Sequence, residues 1–251
     1  MNKQGKNGIE WCDATWNPVT GCLHGCEYCY ARRIAERFVP KEKDNWDDCT
    51  QPGNGLHEIR RKNSNGGQFK YGFAPTLHSY RLGEPARIKK PQKIFVCSMA
   101  DLFGDWVPDE WIREVFDACE RAPWHTYLFL TKNPKRYRKL AGHGDLPPQH
   151  WYGYTLTGIE QRPEQLYSNW RTFVSLEPLL GMPDMEFLRH DNTLWVILGA
   201  ETGNRKGNVV PKREWIQDIV DQCRDAWVPV FMKNSLKDIW GAPLIQEWPE
   251  G

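Results

Sequence analysis

The amino-acid sequence predicts an α/β fold, a partial or complete (β/α) barrel, formed by a single domain over residues 1–251. The first reason is a series of short apolar runs, each of a length suited to a buried strand. The second is that amphipathic segments lie between or after several of these runs, and strand–helix alternation is typical of a parallel sheet. The third is the length of 251 residues, which is enough for one domain with a sizeable core.

The predicted strands begin near the N-terminus. Residues 1–8 are polar and are predicted to be a frayed end, after which residues 9–16 can supply a first short strand. Residues 76–81 can add another. Six further apolar runs predict buried strands at residues 93–97, 126–130, 151–156, 172–176, 194–198 and 228–232.

Helices are predicted from the amphipathic segments. A first helix over residues 30–38 follows a glycine-punctuated loop and ends near Pro40. The link between Thr172 and Asp191 has no clear helical pattern, so that step of the barrel is left open. Four other helices begin at a proline, which the first turn of a helix tolerates, and cover residues 108–121, 134–141, 163–170 and 211–225.

Residues of about 40–92 form a predicted insertion that is irregular and basic. Its first part, residues 40–75, is rich in Lys, Asp, Asn, Gly and Gln and lacks a periodic set of apolar residues. From residue 57 to residue 93 there are nine basic and two acidic residues, in a chain whose net charge is only +1. We expect either a solvated loop surface or a partner that carries phosphate groups, such as nucleic acid.

Three cysteines, Cys22, Cys26 and Cys29, lie at C-x3-C-x2-C spacing in the loop from Gly21 to Tyr30. Cysteine thiolates are the usual ligands of iron–sulfur clusters, so one such loop can hold three irons of a 4Fe–4S cluster. The fourth iron then has no ligand from this loop. An open coordination position on iron can bind a substrate or a cofactor, so the spacing favours chemistry over a purely structural role.

The alternative for this loop is a structural zinc site, of which Cys-x2-Cys is one half. The nearest further ligands are His24, Cys12 and Cys49, and no second Cys-x2-Cys or His-x3-His pair completes a set of four. Disulfides are not expected, because a chain with eight cysteines and no secretory segment is predicted to be cytoplasmic, with reduced thiols. No run of 18 apolar residues occurs, which excludes a membrane span.

The residues around the three cysteines resemble a known family. They are the string Trp16-Asn17-Pro18-Val19-Thr20-Gly21-Cys22, the aromatic Tyr28 before the third cysteine, and the string Cys29-Tyr30-Ala31-Arg32. This pattern is similar to the cluster loop of the radical S-adenosylmethionine (radical SAM) superfamily, in the branch that includes spore photoproduct lyase. It resembles still more closely a phage- and prophage-associated family of unsettled function.

This resemblance implies a barrel of the radical SAM type, with a 4Fe–4S cluster on Cys22, Cys26 and Cys29 and with SAM at the open iron. An external flavodoxin- or ferredoxin-like donor would supply the electron that cleaves SAM to methionine and a 5′-deoxyadenosyl radical, which abstracts hydrogen from the substrate. The expected substrate is a nucleic-acid base or nucleotide, in DNA base modification or repair. Two alternatives stay open: a radical SAM enzyme acting on a peptide or small metabolite, and a non-catalytic nucleic-acid-binding module stabilised by zinc.

The strand ends supply further candidate site residues, because ligands of parallel α/β barrels lie at the carboxyl ends of the strands. By the resemblance, Ser98 and Thr155 contact SAM, and Lys132 matches a SAM-contacting lysine. Tyr28 would approach the adenine through its backbone. Asp101 is a further candidate for cofactor binding, and its alternative role is a helix cap.

The candidate catalytic residues are Cys97, Glu177, Glu201 and Lys233. By the resemblance, Cys97 lies in the region where photoproduct lyases place a hydrogen-donating cysteine, and its alternative is a small buried apolar residue. Glu177 and Glu201 can contact the ribose of SAM or the substrate. They can equally be buried carboxylates that pair with Lys132 or Lys233.

Overall fold

The computed structural model describes residues 1–4, 8–38, 55–62, 67–159, 170–190, 192–203 and 205–249. The chain divides into two compact units, Met1–Thr131 and Lys132–Gly251. Each unit combines a mainly parallel sheet with helices, which confirms the predicted α/β class. Closure of the strands into a barrel and the single-domain organisation stay predictions.

The first unit consists of short strands and two α-helices. In chain order these are β1 (Asn2–Lys3), β2 (Ala14–Trp16), β3 (Val19–Thr20), α1 (Tyr30–Arg37), β4 (His57–Glu58), β5 (Thr76–Leu77), β6 (Lys93–Val96), α2 (Asp109–Glu120) and β7 (Thr126–Thr131). Between β4 and β6 lie single 3-10 turns at Gly67–Phe69, Ser79–Arg81 and Pro85–Arg87.

Two sheets organise the first unit. The larger has the strand order β1-β2-β6-β7, in which β2, β6 and β7 are parallel and β1 is antiparallel to β2. Trp16, Val96 and Phe129 lie side by side in its register. The smaller sheet has the order β3-β5-β4. Since β6 is paired with a strand on each side, β2 and β7, the position of its carboxyl end is well restrained within this unit.

Helix α2 packs against strand β7 through aromatic side chains. Its buried residues Ile112, Val115, Phe116 and Cys119 follow the spacing of one helix face. Phe116 meets Phe129 of β7 edge to face, with ring centroids 5.4 Å apart, and Phe103 contacts both rings. Burial of such a ring stabilises a fold by about 1.5–3 kcal/mol, so this cluster is a strong restraint on β7.

The second unit is built on four parallel strands. In chain order its elements are α3 (Lys135–Gly142), β8 (Trp151–Leu156), β9 (Arg171–Leu176), α4 (Phe187–His190), β10 (Thr193–Leu198), α5 (Arg213–Asp225), β11 (Val230–Met232), a 3-10 turn (Asn234–Leu236) and α6 (Lys237–Trp240). The strands are adjacent in the order β8-β9-β10-β11. Consecutive parallel strands place all four carboxyl ends at one edge of this sheet.

Aromatic side chains fill the core of the second unit. Trp195 of β10 contacts Phe173 of β9 and Phe231 of β11, with ring centroids 6.1 and 6.0 Å apart. Trp248 packs against Trp195 at 5.2 Å. On β8, a Cβ at Gly153 would lie 2.3 Å from the Phe173 ring, so glycine leaves the space that this ring needs.

The six predicted buried strands are confirmed as β6 to β11, with ends that differ from the prediction by at most two residues. The predicted helices at residues 30–38, 108–121, 134–141 and 211–225 correspond to α1, α2, α3 and α5. The predicted helix at residues 163–170 lies outside the described residues, apart from Trp170. None of the helices in the described ranges has the length and apolar character needed to cross a bilayer.

Three predictions for the first unit are confirmed only in part. Asn2 and Lys3 are not frayed but pair with β2, and the Met1 amine contacts the Glu84 carboxylate. Of the strand predicted over residues 9–16, only Ala14–Trp16 is extended and paired. Residues 76–81 form a two-residue strand followed by a 3-10 turn, and they belong to the smaller sheet. Two-residue strands are too short to show a periodicity in the sequence.

The described part of the insertion is packed more tightly than its composition indicates. Phe69, Tyr71 and Phe73 are buried, although the sequence shows no periodic apolar set around them. Lys70 is also buried, with its ammonium 5.6 Å from the centre of the Tyr71 ring. Arg81 donates to the carbonyl of Asn17 and to the side chain of Gln68. The side chains of Lys70 and Arg81 therefore make contacts within the first unit and are not part of an exposed basic surface.

His78 couples the stability of the first unit to pH. It is buried directly after β5, where its Nε2 lies 2.9 Å from Thr20 Oγ1. Burial, assisted by the Arg81 guanidinium, lowers the pKa of His78 from 6.5 to about 3. Between these two values the unfolded chain binds a proton that the folded chain does not. The stabilisation is therefore complete above pH 6.5 and is lost as the pH falls toward 3.

We expect the wild type to lose about 2 kcal/mol more of its free energy of unfolding than His78→Gln between pH 7 and pH 5. Urea unfolding at a series of pH values measures this difference. His143→Gln is the matched control, because His143 is exposed, and it should keep the pH dependence of the wild type. The same pH dependence in the wild type and His78→Gln would contradict the prediction.

Candidate functional site

The three cysteines lie on a loop, residues 21–30, that we call the cysteine loop. It contains two glycines in the left-handed region, Gly21 at φ +88° and Gly25 at φ +69°, which let the chain reverse within a few residues. Cys29 ends the loop as the N-cap of α1, and its sulfur accepts a hydrogen bond from the backbone N–H of Arg32 at 3.4 Å. The third cysteine is therefore fixed by the helix that follows it.

Both ends of the cysteine loop are bonded to the four residues after β6 and Cys97, residues 98–101, which we call the strand-end segment. At the start, the Gly21 N–H donates to the Met99 carbonyl at 2.9 Å. At the end, the Tyr30 hydroxyl donates to the Ser98 carbonyl at 2.6 Å. Since this segment follows a strand inside the larger sheet, both loop ends are held at the carboxyl end of that sheet.

The middle of the cysteine loop is bonded to the same segment through side chains. His24 Nε2 lies 2.7 Å from Asp101 Oδ2. The other carboxylate oxygen of Asp101 accepts from the Thr131 hydroxyl at 2.7 Å and from the Phe103 N–H at 3.0 Å. The structure thus places Asp101, a predicted cofactor-binding residue, in contact with the loop, with both of its oxygens engaged by protein groups.

Apolar packing and one arginine support the loop from α1. Cys22 and Cys29 pack against a buried cluster of Ala31, Ala35, Phe69, Phe73 and Met99. Arg32 donates to the Cys22 carbonyl at 3.2 Å and lies over the Phe73 ring at 5.0 Å. The backbone N–H of Cys22 donates to the Phe73 carbonyl. The aromatic residues Phe69 and Phe73 of the insertion therefore help to shape this loop.

Asn17 orders the strand-end segment from the side of β2. Its Oδ1 accepts from the Ser98 hydroxyl at 3.2 Å and from the Met99 N–H at 3.0 Å. Asn17 is buried, so these hydrogen bonds are shielded from water. Ser98 itself is half-buried, and Tyr28 is half-buried in the turn between the second and third cysteines. Both predicted cofactor-binding residues therefore lie at or beside the cysteine loop.

Cys97 lies one residue beyond β6, in a conformation that is rare for a side-chain-bearing residue. Its φ is +61°, which stops the strand at Val96 rather than at residue 97 as predicted. The thiol is buried, and burial raises its pKa to about 12, so it stays protonated near neutral pH. This environment suits a hydrogen-donating thiol and also a small buried apolar residue, the two roles that the sequence left open.

The donor set of the cysteine loop fits a 4Fe–4S cluster. Cys22, Cys26 and Cys29 are all half-buried. Burial, with smaller contributions from the charges of Asp101, Cys29 and Cys26 and against a lowering by the His24 backbone N–H, raises the pKa of Cys22 to about 12. The three thiols lie within eight consecutive residues of one loop. Thiolates grouped in this way, partly exposed on one loop, are typical ligands of such a cluster.

Across the described ranges, no three His, Cys, Asp or Glu side chains converge to hold a single metal ion. A cluster makes a different demand, because each thiolate binds a separate iron. Cys49, one of the further zinc ligands considered from the sequence, lies outside the described residues. Cys12 is buried and its thiol contacts the Ile9 carbonyl at 3.8 Å.

In the second unit, two candidate catalytic residues form an ion pair across a glycine. The Lys233 ammonium, after β11, donates to the Glu177 carboxylate, after β9. Gly199, after the intervening strand β10, makes room for this pair, since a Cβ there would lie 3.1 Å from both side chains. Of the two lysines considered as partners for these glutamates, the structure pairs Lys233 with Glu177.

The remaining predicted residues of the second unit are placed as follows. Glu201 is paired with Arg205, at 2.7 Å between Oε1 and Nε, and its side chain is only 1% exposed. Thr155 is half-buried on β8, beside Ser175 of β9 in the register. Lys132 is half-buried and is the first residue of this unit.

Several residues of the site were not among the predicted ones. They are His24, Asn17, Tyr30, Thr131, Gly199 and Arg205, each of which contacts or makes space for a predicted residue. Asn17 and Tyr30 belong to the two strings that carry the family resemblance, so the sequence could have indicated them as site residues. His24 lies inside the cysteine loop, and the sequence pointed to it only as a further ligand of the alternative zinc site.

Comparisons with known proteins identify the family and the fold of the chain. A family model described as "Protein of unknown function (DUF5131)" matches residues 6–242. No curated protein matches the sequence significantly. Among solved structures, the chain is similar to a cysteine-to-serine mutant of spore photoproduct lyase, with 9% sequence identity and a TM-score of 0.50, over 95% of this chain and 77% of that chain. At this identity the likeness concerns the fold alone.

The two loop glycines allow a matched test of how tightly the loop is seated. Alanine at either positive φ costs about 1–2 kcal/mol. At Gly21 the added Cβ would also lie 2.2 Å from the Ala74 carbonyl oxygen, whereas at Gly25 nothing lies within 4 Å. We expect Gly25→Ala to lower the free energy of unfolding by about 1 kcal/mol and Gly21→Ala by about 3 kcal/mol or more. Urea unfolding of the metal-free protein measures both, and equal losses would contradict the seating described above.

Proposed function

We propose that this chain, which belongs to the DUF5131 family of proteins of unknown function, is a radical SAM enzyme that acts on a nucleic-acid base or nucleotide. One observation carries the proposal. The cysteine loop is bonded at its start, middle and end to the segment that follows β6, at the carboxyl end of a parallel sheet. That edge is where parallel α/β proteins bind their ligands. The radical SAM-like fold of the solved neighbour supports the same function.

Cys22, Cys26 and Cys29 would hold the 4Fe–4S cluster, since they are the three thiols of the cysteine loop. When bound, the cluster supplies the electron for reductive cleavage of SAM, which an external flavodoxin- or ferredoxin-like donor replenishes. The chain's own part is to bind, orient and shield. Arg32, which bonds the Cys22 carbonyl, and the buried cluster below the loop keep the thiols in place.

Four residues are proposed to contact SAM: Tyr28, Ser98, Lys132 and Thr155. Ser98 is the best supported by contacts, because Asn17 holds its hydroxyl as a donor and leaves its lone pairs able to accept from an amine. Lys132 carries an ammonium that suits the carboxylate of SAM. Asp101 is proposed to act on the loop rather than on SAM, since His24, Thr131 and Phe103 occupy its oxygens.

Four further residues are proposed to act on the substrate: Cys97, Glu177, Glu201 and Lys233. A hydrogen-atom donor must carry its hydrogen at working pH, and burial keeps the Cys97 thiol protonated. The Glu177–Lys233 pair presents a carboxylate and an ammonium side by side, 27% and 17% exposed, which suits a polar base edge. Glu201 is held by Arg205 and is proposed to orient that guanidinium.

A nucleic-acid substrate is proposed from the charge of the described insertion. Arg61, Lys62, Lys89 and Lys90 are exposed, whereas Lys70 and Arg81 are turned into the fold. Exposed cations of this kind bind phosphate through Coulomb attraction and counterion release. The cofactor chemistry does not depend on this part of the proposal.

Anaerobic reconstitution with iron and sulfide tests the proposed cofactor. We expect about four irons per chain and an absorption band near about 400 nm, which marks iron–sulfur charge transfer. With SAM and a reductant, the loaded protein should release 5′-deoxyadenosine. Cys26→Ser removes one thiolate and should reduce the bound iron to below about half of the wild-type content.

Cys12→Ala is the matched control, because Cys12 is a buried cysteine outside the loop that was considered as a zinc ligand. It should keep the iron content of the wild type. A colourless wild type that binds zinc in place of iron, and loses it in Cys12→Ala, would overturn the proposal and favour the zinc-stabilised module.

Salt-dependent DNA binding tests the proposed substrate. Exchange of Arg61, Lys62, Lys89 and Lys90 for Gln should reduce the slope of log K against log salt by up to about 4, near 1 for each phosphate that the variant no longer neutralises. The control exchanges four exposed lysines of the second unit, Lys135, Lys139, Lys206 and Lys237, for Gln. Equal slopes in both variants and the wild type would favour a peptide or small-metabolite substrate.

A further inference from the structure

We propose that His24 and Asp101 are positioning residues for the cluster: their hydrogen bond fixes the middle of the cysteine loop and controls how long the chain retains the cluster and at what potential it is reduced. This inference rests on the proposed function. It assigns a role to His24 and gives Asp101 a role different from the cofactor contact predicted from the sequence.

The Asp101 side chain is held in place by its own contacts, and it must be so held if it is to position His24. It is 5% exposed and follows β6 by five residues. Thr131, the last residue of β7, and the backbone N–H of Phe103 both donate to its Oδ1. The carboxylate is therefore anchored to the ends of two neighbouring strands, and its Oδ2 is directed to His24 at 2.7 Å.

His24 is held on a second side by an aromatic ring. The Trp106 ring meets the imidazole edge to face, with centroids 4.8 Å apart. Gly104 makes this contact possible, because a Cβ there would lie 2.3 Å from the Trp106 ring. The side chains of His24 and Asp101 are only 22% and 7% exposed, so water competes weakly for their hydrogen bond.

The position of His24 in the loop gives the bond its effect. His24 lies midway between Cys22 and Cys26, and its neighbours Leu23 and Gly25 are exposed. The hydrogen bonds of Gly21 and Tyr30 fix the ends of the loop. The His24–Asp101 hydrogen bond instead holds the segment between Cys22 and Cys26. Residues that hold metal ligands in this indirect way commonly change metal affinity about 10- to 100-fold when removed.

The charge of Asp101 gives the second effect. Its carboxylate is hydrogen-bonded to His24, which lies two residues from Cys22 and two residues from Cys26 in the cysteine loop. A negative charge beside an iron–sulfur cluster favours the oxidised form and lowers the reduction potential, since net charge and hydrogen bonds to the site tune that potential. Removing the charge while keeping the shape should therefore make the cluster easier to reduce.

Three variants separate these effects in the reconstituted full-length chain. His24→Leu removes the bond, whereas His24→Gln keeps an N–H donor at a similar reach. Asp101→Asn keeps the shape of Asp101 and removes its charge. The readouts are the rate at which the absorbance near about 400 nm decays under a chelator, and the midpoint potential from electron paramagnetic resonance during redox titration.

We expect the cluster of His24→Leu to decay about 10- to 100-fold faster than that of the wild type, with most of the stability regained in His24→Gln. Asp101→Asn should shift the midpoint potential to a less negative value. His143→Leu, at an exposed histidine of the second unit, is the matched control and should change neither readout.

The outcomes distinguish this inference from the proposed function. A wild type that takes up no iron overturns the proposed function and this inference together. A wild type that holds a cluster, with decay rates and potentials unchanged in His24→Leu and Asp101→Asn, overturns the inference alone. If His24→Leu does not fold, the potential of Asp101→Asn and the decay rate of His24→Gln decide, and an unshifted potential in Asp101→Asn then overturns it.

Discussion

The attachment of the cysteine loop to the strand-end segment is the constraint on which the candidate site depends. Ten residues with two flexible glycines have no core of their own, and ordering each of them costs roughly 1–2 kcal/mol of conformational entropy. The sheet offsets this cost at the start, middle and end of the loop, through Met99, Asp101 and Ser98. Because β6 lies between β2 and β7, the sheet restricts the motion of the strand-end segment that follows it.

Both units use a small or unusual backbone position to bring polar side chains together at a strand end. In the first unit, the left-handed Cys97 turns the chain directly after β6, so that Ser98 and Asp101 can face the loop. In the second unit, Gly199 opens a gap through which Glu177 and Lys233 meet from the two flanking strands. Backbone conformations that depart from ordinary strands or helices are concentrated at functional positions in many proteins. Here they set which donors and acceptors converge.

Burial explains which elements the sequence could predict. Strands β6 to β11 and helix α2 are continuous apolar or amphipathic segments, and their period survives in the sequence because one face or both faces are buried. The two-residue strands β1, β3, β4 and β5 are held by partners far along the chain, and a pair of residues has no period. The packing of the insertion was not predicted for a related reason: its buried residues Phe69, Tyr71 and Phe73 have no regular spacing in the sequence.

The sequence by itself determined which chemical groups this protein offers: three thiols at a spacing that suits an iron–sulfur cluster, and polar groups after successive buried strands. Only the tertiary structure decided which groups meet. It joined His24 to Asp101 across 77 positions of the chain and paired Glu177 with Lys233 across 56. Ligand spacing within one loop is a local property that a sequence displays directly. Contacts between distant residues depend on strand order and register, which arise only when the whole sheet forms.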